Sequence, residues 1–241
     1  MRILITNDDG ILSPVLPKLA KWAEKLGEVR VIAPKVEQSG KSHAIDFTRL
    51  IEIKRVDIGE GIDAYSMDST PADCVRYAVI GRKEKYDLII SGVNRGFNLG
   101  KDIVYSGTVG AICEAARLGI PAIALSTHPE NFDSAIQNFD RVWSFIEDNA
   151  LLSENSLYNI NIPKSPVGIR ITRQGGIYFT DEFIYRGDNM WEQTGAVVSK
   201  NEGNPELDTD SVRDGYISIT PIVTGRTDLA AFEKIKYITQ S

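Results

Sequence analysis

The chain has 241 residues, 42% hydrophobic and 25% charged, with a net charge of −6 and a pI near 5.1. This is enough for one large α/β domain or a domain with an appended subdomain, and the acidic balance argues against a surface for a nucleic acid polymer. No apolar run approaches the ~20 residues of a membrane span, and with only two histidines, no HExxH and no clustered cysteines, any bound metal is expected to take mostly oxygen ligands, as Mg²⁺, Mn²⁺ or Ca²⁺ do.

Arg2 to Thr6 is a short apolar run rich in β-formers, and Asn7-Asp8-Asp9-Gly10 after it is turn chemistry. Leu12, Leu16, Leu19, Ala23 and Leu26 then fall on one face at helical spacing. Val29 to Ala33 reads as a second strand closed by Pro34, and Thr48 to Lys54 with Gly61 to Ser66 as a hairpin or sheet edge. A helix is predicted over Pro71 to Ile80, with Thr70 as N-cap and proline at its first position. Asp87 to Ser91 and Pro121 to Ser126 are near-continuous apolar strands, as expected where a parallel sheet is covered on both faces. A small-residue helix over Thr108 to Leu118 stops at Gly119, and a long helix runs from Phe132 to Asp148. The alternation predicts an α/β fold: a Rossmann-like, doubly wound, mostly parallel sheet.

From residue 151 the pattern changes. Leu157 to Ile162 alternates until Pro163, and Gly168 to Thr172 and Gly176 to Thr180 are short strand candidates. Asp181 to Glu206 is polar with scattered aromatics and reads as a long hairpin or excursion. A strand at Gly215 to Thr220 and a helix at Asp228 to Tyr237 close the chain. The expected division is a core over 1–150 that carries the active site and a smaller β-rich extension over 151–241 that serves oligomerisation. Cys74 and Cys113 read as reduced, buried thiols, and the N-terminal residues as a strand rather than a signal segment, so a cytoplasmic protein is expected.

In open α/β sheets ligands bind beyond the carboxyl ends of the strands. Asp8 and Asp9 stand there, and adjacent carboxylates repel unless a cation or a proton lies between them. Three more segments fall at the same edge. Glu37-Gln38-Ser39-Gly40-Lys41-Ser42 imitates a phosphate-binding P-loop, but Lys35 stands where that pattern needs glycine, which excludes an ATPase of that kind; Ser39 remains a candidate for metal or substrate. In Ser91 to Gly100, glycines including Gly96 permit close approach to an anion, Asn94 and Asn98 offer amides, and Arg95 can pair with phosphate. Ser106-Gly107-Thr108 opens a helix, where hydroxyls and uncommitted N–H groups form an anion site.

With these residues in view, the chain resembles the SurE, or survival protein E, family of metal-dependent 5′-nucleotidases. The matching stretches are MRILITNDDGI, VIAP with EQSG, STPADCV, DLIISGVNRGFNLG, YSGTVGA, NIPK, TRQG and GYISITP, in order through nearly the whole chain. The resemblance implies hydrolysis of nucleoside 5′-monophosphates by metal-assisted water attack, with 3′-nucleotides and polyphosphate as open questions. It implies one divalent cation per subunit and a homodimer or homotetramer with an exchanged C-terminal arm. The metal ligands it implies are Asp8, Asp9, Ser39 and Asn94, and the phosphate and catalytic contacts Asn98, Ser106, Gly107 and Thr108. Departures at Gly40 to His43, Phe97 and Tyr105 touch the expected pocket wall and leave base preference open. Two rival readings are an aspartyl-phosphate hydrolase, with an aspartate as nucleophile, and a non-enzymatic module that senses a nucleotide or phosphate.

Overall fold

The structure, a computed structural model, describes residues 1–198 and 201–238; positions 199 and 200 of the predicted excursion and 239–241 of the C-terminal extension lie outside the described residues. Its strands are β1 (Arg2–Thr6), β2 (Glu28–Pro34), β3 (Ile53–Val56), β4 (Ala64–Met67), β5 (Leu88–Arg95), β6 (Ala122–Thr127), β7 (Leu157–Ile162), β8 (Gly168–Ile171), β9 (Glu182–Gly187), β10 (Met190–Thr194) and β11 (Tyr216–Pro221). Its helices are α1 (Leu16–Ala23), α2 (Pro71–Arg76), α3 (Gly107–Arg117), α4 (Phe132–Asp148), α5 (Leu151–Glu154), α6 (Asp208–Arg213) and α7 (Leu229–Ile235).

Nine strands form one sheet in the order β3-β4-β2-β1-β5-β6-β7-β11-β8. From β4 to β7 every neighbouring pair is parallel, while β3 runs antiparallel to β4 and β11 antiparallel to β7. The chain leaves β1 towards β2 and returns to β5 on the other side of β1. The gap between the ends of β1 and β5 is therefore the topological switch point, where such sheets bind ligands. Both sheet faces are apolar because side chains alternate. Ile3, Ile5 and Ile90 meet α1 and α4 through Leu16, Leu19, Phe139 and Ile146, whereas Leu4, Ile32 and Ile89 meet α2 and α3 through Val75, Ala111 and Ile112. Each fully buried Leu or Ile contributes about 1.5–3 kcal/mol.

Several elements differ from expectation for identifiable reasons. Leu12, predicted on the first helix face, is 86% exposed. The Asn7 side chain bonds both the N–H and the C=O of Gly10, Gly10 has φ +92°, and Ile11 N–H bonds Pro34 C=O at 2.7 Å, so the chain is still turning at residue 12. The helix capped by Thr70 loses α geometry at Tyr77, where a π turn runs to Gly81 and Arg82 N–H reaches Tyr77 C=O. Gly176 to Thr180 is not a strand; only Phe179 bridges, to Val197. The N–H groups of Tyr178 and Phe179 instead donate to Asp102 Oδ2, both at 2.8 Å, so they serve no ladder. The sequence reading also missed α6, whose Asp208-Thr209-Asp210-Ser211 looks like a polar loop yet is almost completely buried. Asp208 accepts from the N–H groups of Gly100, Gly175 and Thr209, which gathers three segments around one carboxylate.

The polar excursion is a hairpin, β9 with β10, turning through Asp188 and Asn189, both at positive φ as a tight two-residue turn requires. Neither this hairpin nor α7 contains a buried residue.

One buried charge fastens the loop after β2 to α3. Glu114 accepts from Arg76 at 3.0 Å and Arg117 at 2.6 Å and pairs with His43 Nε2 at 2.8 Å. Burial works against its anion, but the bonds from His43, Arg117 and Arg76 outweigh it and hold the carboxyl at about 2. Glu114→Gln is therefore expected to cost about 2 kcal/mol at pH 7, read from the urea midpoint. An unfolded glutamate titrates near 4.3. The contribution is thus complete above that value and fades as pH falls towards 2, so the gap between wild type and variant should narrow on acidification.

Candidate active site

β1 delivers Asn7-Asp8-Asp9-Gly10 to the switch point, and Asn7 closes the turn by its two bonds to Gly10. Asp8 is then 3% exposed. Its Oδ2 accepts the Thr108 N–H at 3.0 Å and its Oδ1 the Thr108 hydroxyl at 2.5 Å, so the carboxylate sits on the first turn of α3. That approach is close. A Cβ on Gly107 would lie 3.0 Å from Asp8 Cβ and 3.1 Å from Oδ2. Asp9 is less buried, and its Oδ2 accepts the Arg95 N–H at 3.1 Å, which ties the end of β1 to the end of β5.

Burial pushes the Asp8 carboxyl above its usual range, although the Thr108 hydroxyl and N–H pull the other way. Asp9 is pushed up to about 7, by burial first and then by the charge of Asp8; the opposing pull of Arg95 is smaller. Glu37 adds a third negative charge felt by both.

Asp8, Ser39, Asn94, Arg95, Asn98 and Ser106 line one cavity of about 200 Å³, together with Phe97, Tyr105 and Phe179. Asn94 ties its Nδ2 to Gly96 C=O at 2.8 Å, and among the described residues its Oδ1 makes no hydrogen bond. Ser39 Oγ donates to Glu37 Oε1 at 2.6 Å, which leaves its lone pairs available. Asn98 Nδ2 gives one hydrogen to Ser126 Oγ at 2.8 Å and keeps a second. Ser106 caps α3 by accepting the Val109 N–H at 3.1 Å and retains its hydroxyl hydrogen. Gly96 N–H is committed to Thr127 C=O, and both Thr108 donors are committed to Asp8.

A larger cavity, about 660 Å³, lies on the far side of Ser106 and is lined by His43, Val109, Cys113, Ile222 and Arg226, with no acid side chain. The carboxylate chemistry belongs to the smaller one. Among the described residues no three His, Cys, Asp or Glu side chains gather as a metal cluster. The donors present are two adjacent carboxylates, a hydroxyl and an amide oxygen, a set that suits a hard cation, with solvent or substrate oxygens filling its remaining positions. The destabilised acid pair is the observation that fits one.

Reading by sequence motif overlooked Glu37, Asp102 and Phe179. Glu37 had a signal, an acid two residues before the candidate Ser39. Asp102 and Phe179 had none, because their relation to the cavity arises from contacts between distant segments.

A profile of the family described as Survival protein SurE matches residues 3–181. Proteins named 5′-nucleotidase SurE from Thermosipho melanesiensis, Thermoanaerobacter sp. strain X514 and Legionella pneumophila are 37%, 39% and 34% identical, covering 92%, 92% and 98% of this chain and 91%, 92% and 96% of their own. The crystal structure of Sure protein from Aquifex aeolicus superposes with a TM-score of 0.80 at 34% identity, covering 98% of this chain and 99% of that one.

The raised Asp9 carboxyl sets the sign of a stability test. In the fold it stays protonated up to about 7, against about 3.9 when unfolded. Its ionisation therefore destabilises the metal-free protein progressively as pH rises between these values. Asp9→Asn is expected to raise the melting temperature of chelator-treated protein at pH 8 by several degrees, and by much less at pH 5. An equal gain at both pH values would contradict the assignment.

Proposed function

Since this chain belongs to the SurE family, matched over most of its length, we propose that it is a 5′-nucleotidase that hydrolyses nucleoside monophosphates to nucleoside and phosphate at the end of β1. The observation that carries this reading is the convergence of Asp8, Asn94, Asn98 and Ser106 on one cavity beside Asp9. In the proposal Asp8, Asp9, Ser39 and Asn94 hold one divalent cation per subunit. The chemistry supplied there is charge neutralisation at a phosphoryl oxygen and acidification of water.

The protein's own groups do the rest. The second Nδ2 hydrogen of Asn98, the Ser106 hydroxyl and the positive end of α3 face the phosphoryl oxygens and stabilise charge that spreads over them. Gly107, without a side chain, lets that helix end approach both Asp8 and substrate. Arg95 stands at the rim and adds positive charge, and Gly96 leaves the approach open. Phe97, Tyr105 and Phe179 offer ring faces to a base, and Tyr105 is 60% exposed.

Direct attack by water fits better than an aspartyl-phosphate. Each Asp8 oxygen accepts one hydrogen bond from Thr108, which weakens the carboxylate as a nucleophile yet leaves each oxygen a lone pair for a cation. No histidine lines the cavity to activate a serine. No helix among the described residues is long and apolar enough to cross a membrane.

We extend the proposal to assembly as a homodimer or homotetramer. Phe183, Tyr185, Met190 and Trp191 on the hairpin and Leu229, Phe232 and Ile235 on α7 are all exposed, at 48% or more. Apolar groups gathered on two projecting elements mark a protein contact.

Two experiments test these readings. Chelator-treated protein is expected to release phosphate from nucleoside 5′-monophosphates only when Mg²⁺ or Mn²⁺ is restored. Ser39→Ala and Asn94→Ala should weaken Mn²⁺ binding in calorimetry by at least about tenfold, the lower end for groups that merely orient a metal's ligands. Equal turnover without metal would sink the metal assignment, and absence of turnover on every monophosphate would favour a sensor. The same assay on 3′-nucleotides and polyphosphate defines the breadth of the site. Separately, Trp191→Glu combined with Phe232→Glu should shift the light-scattering mass towards the monomer; an unchanged mass would place the interface elsewhere.

A further inference from the structure

β7 departs from what a strand in the middle of a sheet should carry. Asn159 and Asn161 are both 0% exposed and occupy alternate positions, so they point to one face. Burying two primary amides is costly unless their groups find partners. Asn161 finds them on the backbone of Asn98. Its Oδ1 accepts the Asn98 N–H at 2.9 Å and its Nδ2 donates to the Asn98 C=O at 2.8 Å. Asn159 Nδ2 donates to the same carbonyl at 2.8 Å.

A side-chain amide that bonds both backbone groups of one residue imitates strand pairing, and it sets tilt as well as position. The Asn98 side chain is held in turn by Ser126 Oγ at 2.8 Å. Ser126 is 0% exposed and lies directly opposite Asn161 in the β6–β7 register. Three buried side chains on two neighbouring strands thus grip one residue of a loop flanked by Gly96 and Gly100. Glycines give such a loop a wide choice of conformations, and a catalytic donor must be held within a fraction of an ångström.

We infer that Asn161, supported by Asn159 and Ser126, is a positioning residue for Asn98, clamping its backbone so that the second Nδ2 hydrogen is presented to the phosphoryl group. This rests on the proposed reading of Asn98 as a phosphate contact. Asn161 touches no reacting atom and acts only through Asn98.

A double-mutant cycle separates this from a merely structural role. Asn161→Asp keeps the shape and the acceptor for the Asn98 N–H but sets an oxygen against the Asn98 carbonyl. It is expected to lower kcat on a nucleoside 5′-monophosphate roughly 100-fold while leaving Mn²⁺ affinity unchanged. In an Asn98→Ala background the same substitution should leave kcat unaltered, because the residue it acts through is gone. Amide hydrogen exchange provides a readout that needs no turnover. Asn161→Ala should speed exchange at the Asn98 N–H while the amides of α3 keep their protection. The inference is overturned if the Asn161 substitution costs the same factor in both backgrounds, or if Asn98 exchange is unchanged. Should the wild type release no phosphate, or Asn98→Ala cost nothing, the reading of the site fails and exchange at Asn98 alone decides the clamp.

Discussion

A carboxylate taken out of water has to be received by donors, and everything at this site follows from where Asp8 finds them. Thr108, 100 residues away, supplies a hydroxyl and a backbone N–H. Charge-assisted bonds of this kind are worth about 1.5–3 kcal/mol each, whereas burying the charge costs several kcal/mol. The balance goes to desolvation, since the Asp8 carboxyl remains raised despite both bonds. The pair thereby joins the end of β1 to the start of α3 without neutralising the acid. Asp9, next in the chain, inherits both the burial and its neighbour's repulsion. A fold that tolerates such a pair gives up stability at the place where a cation would restore it.

The walls of the cavity are assembled by the same kind of bond between polar side chains and distant backbone. Asp102 takes the N–H groups of Tyr178 and Phe179, which sets Phe179 at the cavity. Asp208 takes those of Gly100 and Gly175. Asn161 takes both backbone groups of Asn98. In each case a hydrogen bond joins a residue after position 150 to a segment of the first half. The nine-stranded sheet, which continues without a break into β7, β11 and β8, is the physical basis of that cooperation.

Several of the exposed large apolar side chains stand on the β9–β10 hairpin and on α7. The β9–β10 hairpin and α7 bury nothing within the described chain. Their aromatic and aliphatic residues contrast with Glu114 and Asp208, polar groups that are fully enclosed and fully bonded.

The elements legible in the sequence are those governed by local rules. β1 and β5 show as apolar runs, Thr70 as a cap, Ser106 to Thr108 as the opening of a helix, and Asn7 to Gly10 as a turn, because strand alternation, helix capping and turn chemistry act over a few residues. The motifs at one sheet edge, and with them the family, are likewise readable in the chain alone. Only the tertiary structure decided that Thr108 spends its donors on Asp8, that Glu37 bears on the acid pair, that the Tyr178 and Phe179 N–H groups go to Asp102, and that two asparagines on β7 hold Asn98. These relations span 28 to 100 residues or more of chain and depend on which distant groups the fold brings within reach of one another, which no local pattern encodes.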